Sequence, residues 1–387
     1  MRAYYFTEMP YPYYPPEVAQ QLHSQRVILP NHYCDPKLAS ELYNRYLDEY
    51  EYADELGLDL MLNEHHQTVT CIDSVMPLTA AAIARRTSRA KLLLLGNPIA
   101  NRDNPVRVAE EMAFLDCVTQ GRLICGFVRG VATEYHPANT NPALTRERFE
   151  EAHDLIMHAW TTHEPFNWEG KFWHFRYVNP WPRPYQQPHP PIWITGSTPS
   201  SVRWIADHQY VYACFLQPYE EQERLHQVYR EHCHERGLLE PGPDKFGFLA
   251  LVYVGDTDEQ AREAGRALMW YLQAVQHPGF VNPPGYNSPE TSARMYRGES
   301  RRGAGKSWEE LNEVGIAIWG NPDTVIKKIT YLHERCQVGH LMMMMQAGFM
   351  PTEHTRMSLK LFAEEVYPAI RELGEPLDAP QEAAPSR

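Results

Sequence analysis

The sequence has no apolar stretch close to the roughly 20 residues that a membrane-spanning helix needs. It also lacks an N-terminal charged-then-apolar secretion pattern, so we expect no export. Its seven cysteines are an odd number without a C-x-x-C pair, which favours reduced thiols in the cytoplasm over a disulfide framework. Basic residues are in the minority, and the net charge of −13 argues against a nucleic-acid-binding surface.

Two cofactor and metal motifs are also missing. No G-x-G-x-x-G follows the first apolar strand, which weakens the interpretation as an open dinucleotide-binding sheet. No H-E-x-x-H is present, so we expect no metal site. The chain does have bulk, because 43% of its 387 residues are hydrophobic and can fill a large core.

Short apolar runs alternate with helical patterns along the chain, an order typical of a parallel sheet buried on both faces. The eight runs are 2–6, 58–62, 91–96, 123–128, 191–195, 210–215, 246–254 and 340–345. Caps such as Asp35-Pro36 and Asn104-Pro105 begin the helices between them. Eight units predict a (β/α)8 TIM barrel with insertion loops at the C-terminal face of the strands. We expect one domain over residues 1–373 and a C-terminal tail over 374–387.

Three further local predictions follow from the C-terminal half of the chain. The pattern Asp256-x-x-Glu259 predicts a capping box, and a helix is expected over about 358–373. The Pro-, Gly- and Ser-rich stretch 274–306 interrupts the alternation and predicts a mobile lid loop. Four methionines at 342–345 are interpreted as soft barrel core and not as ligands.

The sequence Asn-Glu-His-His at 63–66 follows the second strand, where an α/β barrel keeps its chemistry. If the strand stays regular, Asn63 and His65 share one face, while Glu64 and His66 share the other. A histidine at this position can act as a base near neutral pH, although a structural role bonded to a carbonyl is equally open. A hydrolase that uses Glu64 is a minor alternative.

Hydroxyl side chains and arginines suggest an anion site on the same rim. The run Gly196-Ser197-Thr198-Pro199-Ser200-Ser201 follows the strand 191–195, and a helix start of this kind can bind an anion or simply be capped. Arg129 and Arg146 could bind the same anion or pair with carboxylates. Together these groups would suit a phosphate monoester.

Four motifs, in this order, resemble the luciferase-like flavin-dependent monooxygenases. They are Leu-Asn-Glu-His-His at 62–66, Asn-Pro-Val-Arg at 104–107, Gly-Phe-Val-Arg-Gly at 126–130 and Ile-Thr-Gly-Ser at 194–197. The resemblance implies a barrel that holds flavin mononucleotide (FMN) at the C-terminal ends of the strands, with His65 as the catalytic residue. The residues it implies for the flavin phosphate are Arg129, Arg146, Gly196, Ser197 and Ser200. It also places Asn97-Pro98 where the family has a cis peptide under the flavin ring, although a proline there departs from the usual pattern.

The resemblance further implies an activity and its partners. It favours a monooxygenase that takes reduced FMN from a separate flavin reductase and uses O2 to insert one oxygen atom into a small organic substrate. Aromatic residues near the predicted mouth favour an apolar substrate, and the family suggests a homodimer through the helices beside strands two and three. A deazaflavin-dependent oxidoreductase and a flavin-binding protein without turnover remain open as alternatives.

Overall fold

The computed structural model describes residues 1–22, 25–275 and 305–374. Its strands, numbered in chain order, are β1 Arg2–Thr7, β2 Asp59–Leu62, β3 Leu92–Asn97, β4 Leu123–Phe127, β5 Phe166–Glu169, β6 His174–Val178, β7 Ile192–Thr195, β8 Val211–Phe215, β9 Phe246–Val254, β10 Ala317–Gly320 and β11 His340–Gln346. All eight predicted strands are present. The sequence analysis missed the antiparallel hairpin β5–β6, which is a surface insertion with half-exposed residues, and the four-residue strand β10.

The parallel strands close into a ring in the order β1-β2-β3-β4-β7-β8-β9-β11, and β11 returns to β1. Strand β9 closes the ring because it pairs with β8 through residues 246–249 and with β11 through residues 247–251. Its C-terminal part pairs with β10, which stands outside the eight-membered ring. The predicted (β/α)8 barrel is therefore confirmed.

Helices surround the ring. They are α1 Pro16–Gln21, α2 Gln25–Ile28, α3 Pro36–Glu55, α4 Met76–Arg86, α5 Pro105–Thr119, α6 Ala132–Tyr135, α7 Thr145–Thr161, α8 Pro199–Asp207, α9 Tyr219–Arg236, α10 Asp258–Gly265, α11 Met269–Val275, α12 Trp308–Val314, α13 Pro322–Cys336, α14 Thr352–Leu361 and α15 Tyr367–Ile370, with one π-helical turn at Phe362–Val366. Asp35 and Asn104 cap α3 and α5 as predicted, each accepting a hydrogen bond from a backbone amide of the first turn.

Two helix predictions need correction. The capping box at Asp256 is wrong, because the side chain of Thr257 caps α10 by accepting from the amide of Gln260. The last helical segment starts at Thr352, several residues before the predicted start, since Pro351 precedes it and fixes its entry.

The core has two layers that the alternation of strand side chains separates. Along β11, Met342 and Met344 point into the barrel, whereas Met343 and Met345 pack between the barrel and its helices. This confirms the four methionines as core residues. On β4, a Cβ added at Gly126 would lie 2.6 Å from the Cα of Leu95, so only glycine allows β3 and β4 to approach this closely.

Two sequence predictions, the lid loop and the C-terminal tail, concern segments that lie wholly or mostly outside the described residues. Residues 276–304 of the predicted lid and residues 375–387 of the predicted tail lie outside the described residues.

All seven cysteines are free thiols. In the described ranges, no helix is both long and apolar enough to cross a membrane.

Candidate active site

A cavity of about 320 Å³ opens at the C-terminal ends of the barrel strands. This size lies in the range of small-molecule sites, which combine apolar walls with a few convergent polar groups. The barrel core supplies an apolar floor, made of Phe6, Met61, Leu95, Leu249 and Met344. The polar groups come from the segments that follow β1, β2, β4 and β7, as expected where parallel strands end at one rim.

His65 lies in the loop after β2, and its ring is held at both nitrogens. Its Nδ1 is 2.6 Å from Oε1 of Glu134, and its Nε2 is 3.2 Å from Nη2 of Arg26. A guanidinium can only donate hydrogen bonds, so in the neutral ring Nε2 accepts from Arg26 and Nδ1–H donates to Glu134. The arrangement fixes the tautomer that keeps a lone pair on Nε2.

Glu134 is buried at 2% exposure beside the histidine, on the short helix α6 after β4. Its Oε2 accepts from the backbone amide of Val131 at 2.6 Å, and its Oε1 accepts from the hydroxyl of Thr133 at 2.5 Å. Burial alone would raise the pKa of Glu134, but the charge of His65 and these hydrogen bonds outweigh it and lower the pKa. The carboxylate therefore stays ionised and can stabilise a positive charge on His65.

Glu8 is a second buried carboxylate near the histidine. It follows β1 directly, and its Oε2 accepts from Nδ2 of Asn63 at 2.9 Å while lying 3.7 Å from Nε2 of His65. Asn63 and His65 thus both approach Glu8, whereas Glu64 and His66 bond to each other. The condition for the predicted two faces is not met, because β2 ends at Leu62 and Glu64 lines the cavity together with Asn63 and His65.

The carboxylate of Glu64 accepts hydrogen bonds from several donors. Its Oε1 accepts from Arg102 at 2.8 Å and from Nε2 of His66 at 2.8 Å, and its Oε2 accepts from the amide of Met76 at 3.2 Å. These contacts tie the loop to the start of α4 and make Glu64 an anchor, which disfavours the hydrolase alternative. Within the described ranges, no group of three His, Cys, Asp or Glu side chains could hold a metal ion.

The second polar part of the cavity lies around the N-terminus of α8. We call it the cradle, formed by Arg129, Arg146 and residues 196–201. Thr198 caps α8 by accepting from the amide of Ser201 at 3.3 Å, and Nη1 of Arg146 donates to Oγ of Ser200 at 3.1 Å. Gly196 permits the turn, since a Cβ there would lie 2.9 Å from Cβ of Ser201. The other end of Arg146 pairs with Glu150 at 2.9 Å.

Arg129 lies in a turn that other residues fix through backbone carbonyls. Nδ2 of Asn101 donates to the carbonyl of Arg129 at 3.0 Å, and the hydroxyl of Tyr135 donates to the carbonyl of Gly130, whose φ is +93°. Burial raises the pKa of Tyr135, partly offset by the charge of Arg129 and a hydrogen bond from Thr145. Tyr135 thus interacts with both Arg129 and Thr145 at the start of α7, and Arg129 and Arg146 line the same cavity.

The structure thus brings most of the predicted site residues together. The cavity is lined by His65, Arg129, Arg146, Gly196 and Ser197. Ser200 does not line it but orients Arg146 through its hydroxyl.

Asn97 and Pro98 do not line the cavity, and neighbouring Gly96 does so instead. The peptide between them is trans, because the cis bonds of the described chain are Trp181-Pro182 and Gln187-Pro188. The cis peptide that the resemblance places at this position is therefore not found at Asn97-Pro98. Strand β3 stays extended through Asn97, whose carbonyl accepts from the amide of Val128 directly after β4, and trans is the favoured isomer before proline. The side chain of Asn97 is fully buried, and its Oδ1 accepts from Arg102.

Sequence reasoning missed several polar residues of the cavity, of which Glu8, Arg26 and Glu134 lie near His65. A signal existed for two of them. Glu8 follows the first predicted strand directly, and Glu134 comes shortly after the fourth, so the rule that selected His65 applies to both. Arg26 lies on the short helix α2 before the first long helix, and no local pattern marks it.

Comparisons with known proteins agree with this geometry. The family model described as luciferase-like monooxygenase matches residues 25–336. The oxygenase component of a flavin-dependent trigonelline monooxygenase from Acinetobacter baylyi is 26% identical over 258 residues, which cover 64% of this chain and 67% of that protein. An F420-dependent glucose-6-phosphate dehydrogenase from Kineococcus radiotolerans is 29% identical over 169 residues, or 42% of this chain and 49% of that protein. The matched part of the chain thus spans about two thirds of the first relative and about half of the second.

A solved structure shows the same fold. The oxygenating constituent of 3,6-diketocamphane monooxygenase from Pseudomonas putida, in complex with FMN, superimposes with a TM-score of 0.72 at 20% identity, covering 95% of this chain and 97% of that one. Because the family model covers most of the sequence and the barrel agrees with it, the chain belongs to the luciferase-like monooxygenase family.

Proposed function

We propose that this protein is the oxygenase of a two-component system, which binds reduced FMN and uses O2 to insert one oxygen atom into a small organic substrate. The observation that carries the proposal is that a histidine fixed by a buried carboxylate and a cradle suited to phosphate line one cavity. Two similar proteins support it. The one from Acinetobacter baylyi is the oxygenase component of a flavin-dependent monooxygenase, and the one from Pseudomonas putida is an oxygenating constituent solved in complex with FMN.

The residues of the cradle fit the phosphate of FMN. Arg129 and Arg146 supply two positive charges against the single carboxylate of Glu150, so the cradle retains a positive charge. The first backbone amides of α8 lie at a helix N-terminus, where the helix dipole favours a bound anion. The apolar floor would exclude water from a ring held above it.

When bound, reduced flavin supplies the electrons that activate O2. His65 would then hold or move a proton at Nε2, with Glu134 stabilising the ring once it is positively charged. For this step Arg26 has to release Nε2, while Glu134, which Val131 and Thr133 hold in position, keeps the ring in place.

Arg129→Ala is expected to weaken FMN binding about tenfold or more, because it removes a charged partner of the phosphate. The same change should leave binding of riboflavin, which has no phosphate, within about a factor of two. Both affinities can be measured by fluorescence quenching on titration of the purified protein.

Arg107→Ala provides the matched control, since Arg107 is exposed on α5 and, among the described residues, forms ion pairs with Glu110 and Glu111. It should change neither affinity. Unchanged FMN affinity in Arg129→Ala, or an equal loss for FMN and riboflavin, would refute the phosphate assignment.

The deazaflavin alternative predicts a different cofactor dependence. Such an enzyme would transfer a hydride between F420 and its substrate under nitrogen and would need no O2. Turnover that requires O2 and reduced FMN supports the monooxygenase; turnover with F420 in the absence of O2 supports the alternative.

We further propose a homodimer formed through α4 and α5. Two large apolar side chains protrude here, Leu78 at 69% and Phe114 at 51% exposure. Leu78→Glu is expected to convert the dimer into a monomer, measured by light scattering. Leu239→Glu changes a side chain that is 79% exposed elsewhere and should leave the dimer intact. A wild-type monomer, or a dimer that survives Leu78→Glu, would contradict this interface.

We also propose that the protein works in the cytoplasm beside a separate flavin reductase. Its seven free thiols support a reducing compartment. The reductase follows from the two-component proposal, since the similar protein from Acinetobacter baylyi is the oxygenase component of a flavin-dependent monooxygenase.

A further inference from the structure

We propose that Glu8 selects the substrate, and that the preferred substrates carry a positively charged or hydrogen-bond-donating polar group. This inference rests on the proposed function, since it concerns the molecule oxidised in the same cavity. It makes the substrate class more specific than the small apolar molecule that the aromatic residues of the sequence suggest.

The position of Glu8 is unusual for a carboxylate. It is buried at 3% exposure, yet it lines the cavity next to the reactive nitrogen of His65. Oε2 accepts from Asn63, and no donor of the described chain bonds to Oε1. Because Glu8 lines the cavity, its remaining acceptor capacity is available to a donor group on a bound ligand.

The charges around His65 favour the same class of ligand. With the histidine neutral, this part of the cavity has one positive charge on Arg26 and two negative charges on Glu8 and Glu134. Glu64 does not alter this balance, because it is paired with Arg102. One negative charge therefore remains, and a cationic or donating group would offset it.

The opposite side of the barrel carries the opposite sign. Glu8 follows β1 and the cradle follows β7, and these strands stand four places apart in the eight-membered ring. An anionic cofactor end and a cationic substrate end are thus favoured at different sites. Between them lies the apolar floor, so the structure favours a small molecule with an apolar body and one polar donor.

Three probes of equal size test the proposal. Benzylamine, which is positively charged at pH 7, benzyl alcohol and benzoate should be titrated calorimetrically into the protein with and without bound FMN. Wild type should bind benzylamine about tenfold more tightly than benzoate, with benzyl alcohol between them. Glu8→Gln, which keeps an acceptor for Asn63, should reduce that preference to about threefold or less. Glu8→Asp retains the charge and should preserve part of it.

Glu147→Gln is the control, since it removes one carboxylate from an exposed residue paired with Lys171 and should leave the preference unchanged. Tighter binding of benzoate, no preference in wild type, or a preference that persists in Glu8→Gln overturns the proposal. A loss of FMN affinity in Glu8→Gln with an unchanged probe preference also overturns it, because the donor would then belong to the cofactor. If FMN does not bind to wild type, the proposed function is contradicted. The probe titration without FMN still tests the role of Glu8 in that case.

Discussion

His65→Ala is expected to lower oxygenation of a substrate found with wild type by about 100-fold or more, because general acid–base catalysis contributes 10² to 10⁴ in rate. FMN affinity should stay within about threefold, since the phosphate is held by the cradle on the far side of the cavity. O2 should still be consumed, and hydrogen peroxide should replace the oxygenated product. Product and peroxide are to be quantified in single turnovers with reduced FMN.

His66→Ala is the matched control. His66 is the adjacent residue, but it bonds to Glu64 and does not line the cavity. Glu64 keeps its pairing with Arg102 in this variant, so oxygenation should remain within a few-fold of wild type. Full product formation by His65→Ala would remove the catalytic role from this residue.

Asp73→Asn is expected to stabilise the protein increasingly as the pH rises. Asp73 is buried at 2% exposure; its Oδ1 accepts from Thr79 and Val75, whereas its Oδ2 has no partner in the described chain. Burial raises its pKa from 3.8 to about 7, despite the bond from Thr79. Between these two values the folded state binds more protons than the unfolded state, so the free energy of unfolding falls as the pH increases.

Asparagine at position 73 does not titrate, so the stability difference between the variant and wild type isolates this one carboxyl group. The difference should grow by about 2 kcal/mol in favour of the variant between pH 5 and pH 8, because one pKa unit corresponds to about 1.4 kcal/mol. Urea unfolding at both pH values measures it.

Asp48→Asn tests whether any lost carboxylate has this effect. Asp48 is 60% exposed and pairs with Arg86, so its stability difference should change by less than about 0.5 kcal/mol between the same pH values. If the difference for Asp73→Asn is the same at pH 5 and pH 8, Asp73 is not protonated in the folded protein near neutral pH. The same residue holds the loop of the candidate site, because its backbone carbonyl accepts from the amide of His65 at 3.2 Å.

The barrel could be predicted from sequence because its strands are buried on both faces. Residues 92–95 and 341–345 within two of these runs are apolar throughout, and helix caps such as Asp35 and Asn104 mark the helices between the strands. Burial on two faces leaves a strong signal. The hairpin β5–β6 left none, since it is a surface insertion whose register depends on contacts with Glu151, which accepts from the amides of residues 171–173.

The candidate site was predictable where one local motif carries it. His65, Arg129 and Ser197 follow strands, and the ends of parallel strands meet at one rim. The partners that give His65 its chemistry could not be assigned in this way. Glu134 reaches it from 69 positions further along the chain and Arg26 from 39 positions before it, and only the closed barrel brings the three together.

The most direct test of the account is an anaerobic titration of the purified protein with reduced FMN, followed by mixing with O2 in a stopped-flow spectrometer. The account predicts tight binding and then a transient near-ultraviolet absorbance that outlives the one seen with free reduced FMN. Absence of binding, or reoxidation as fast as in free solution, would contradict an oxygenase and favour the deazaflavin-dependent or non-catalytic alternative.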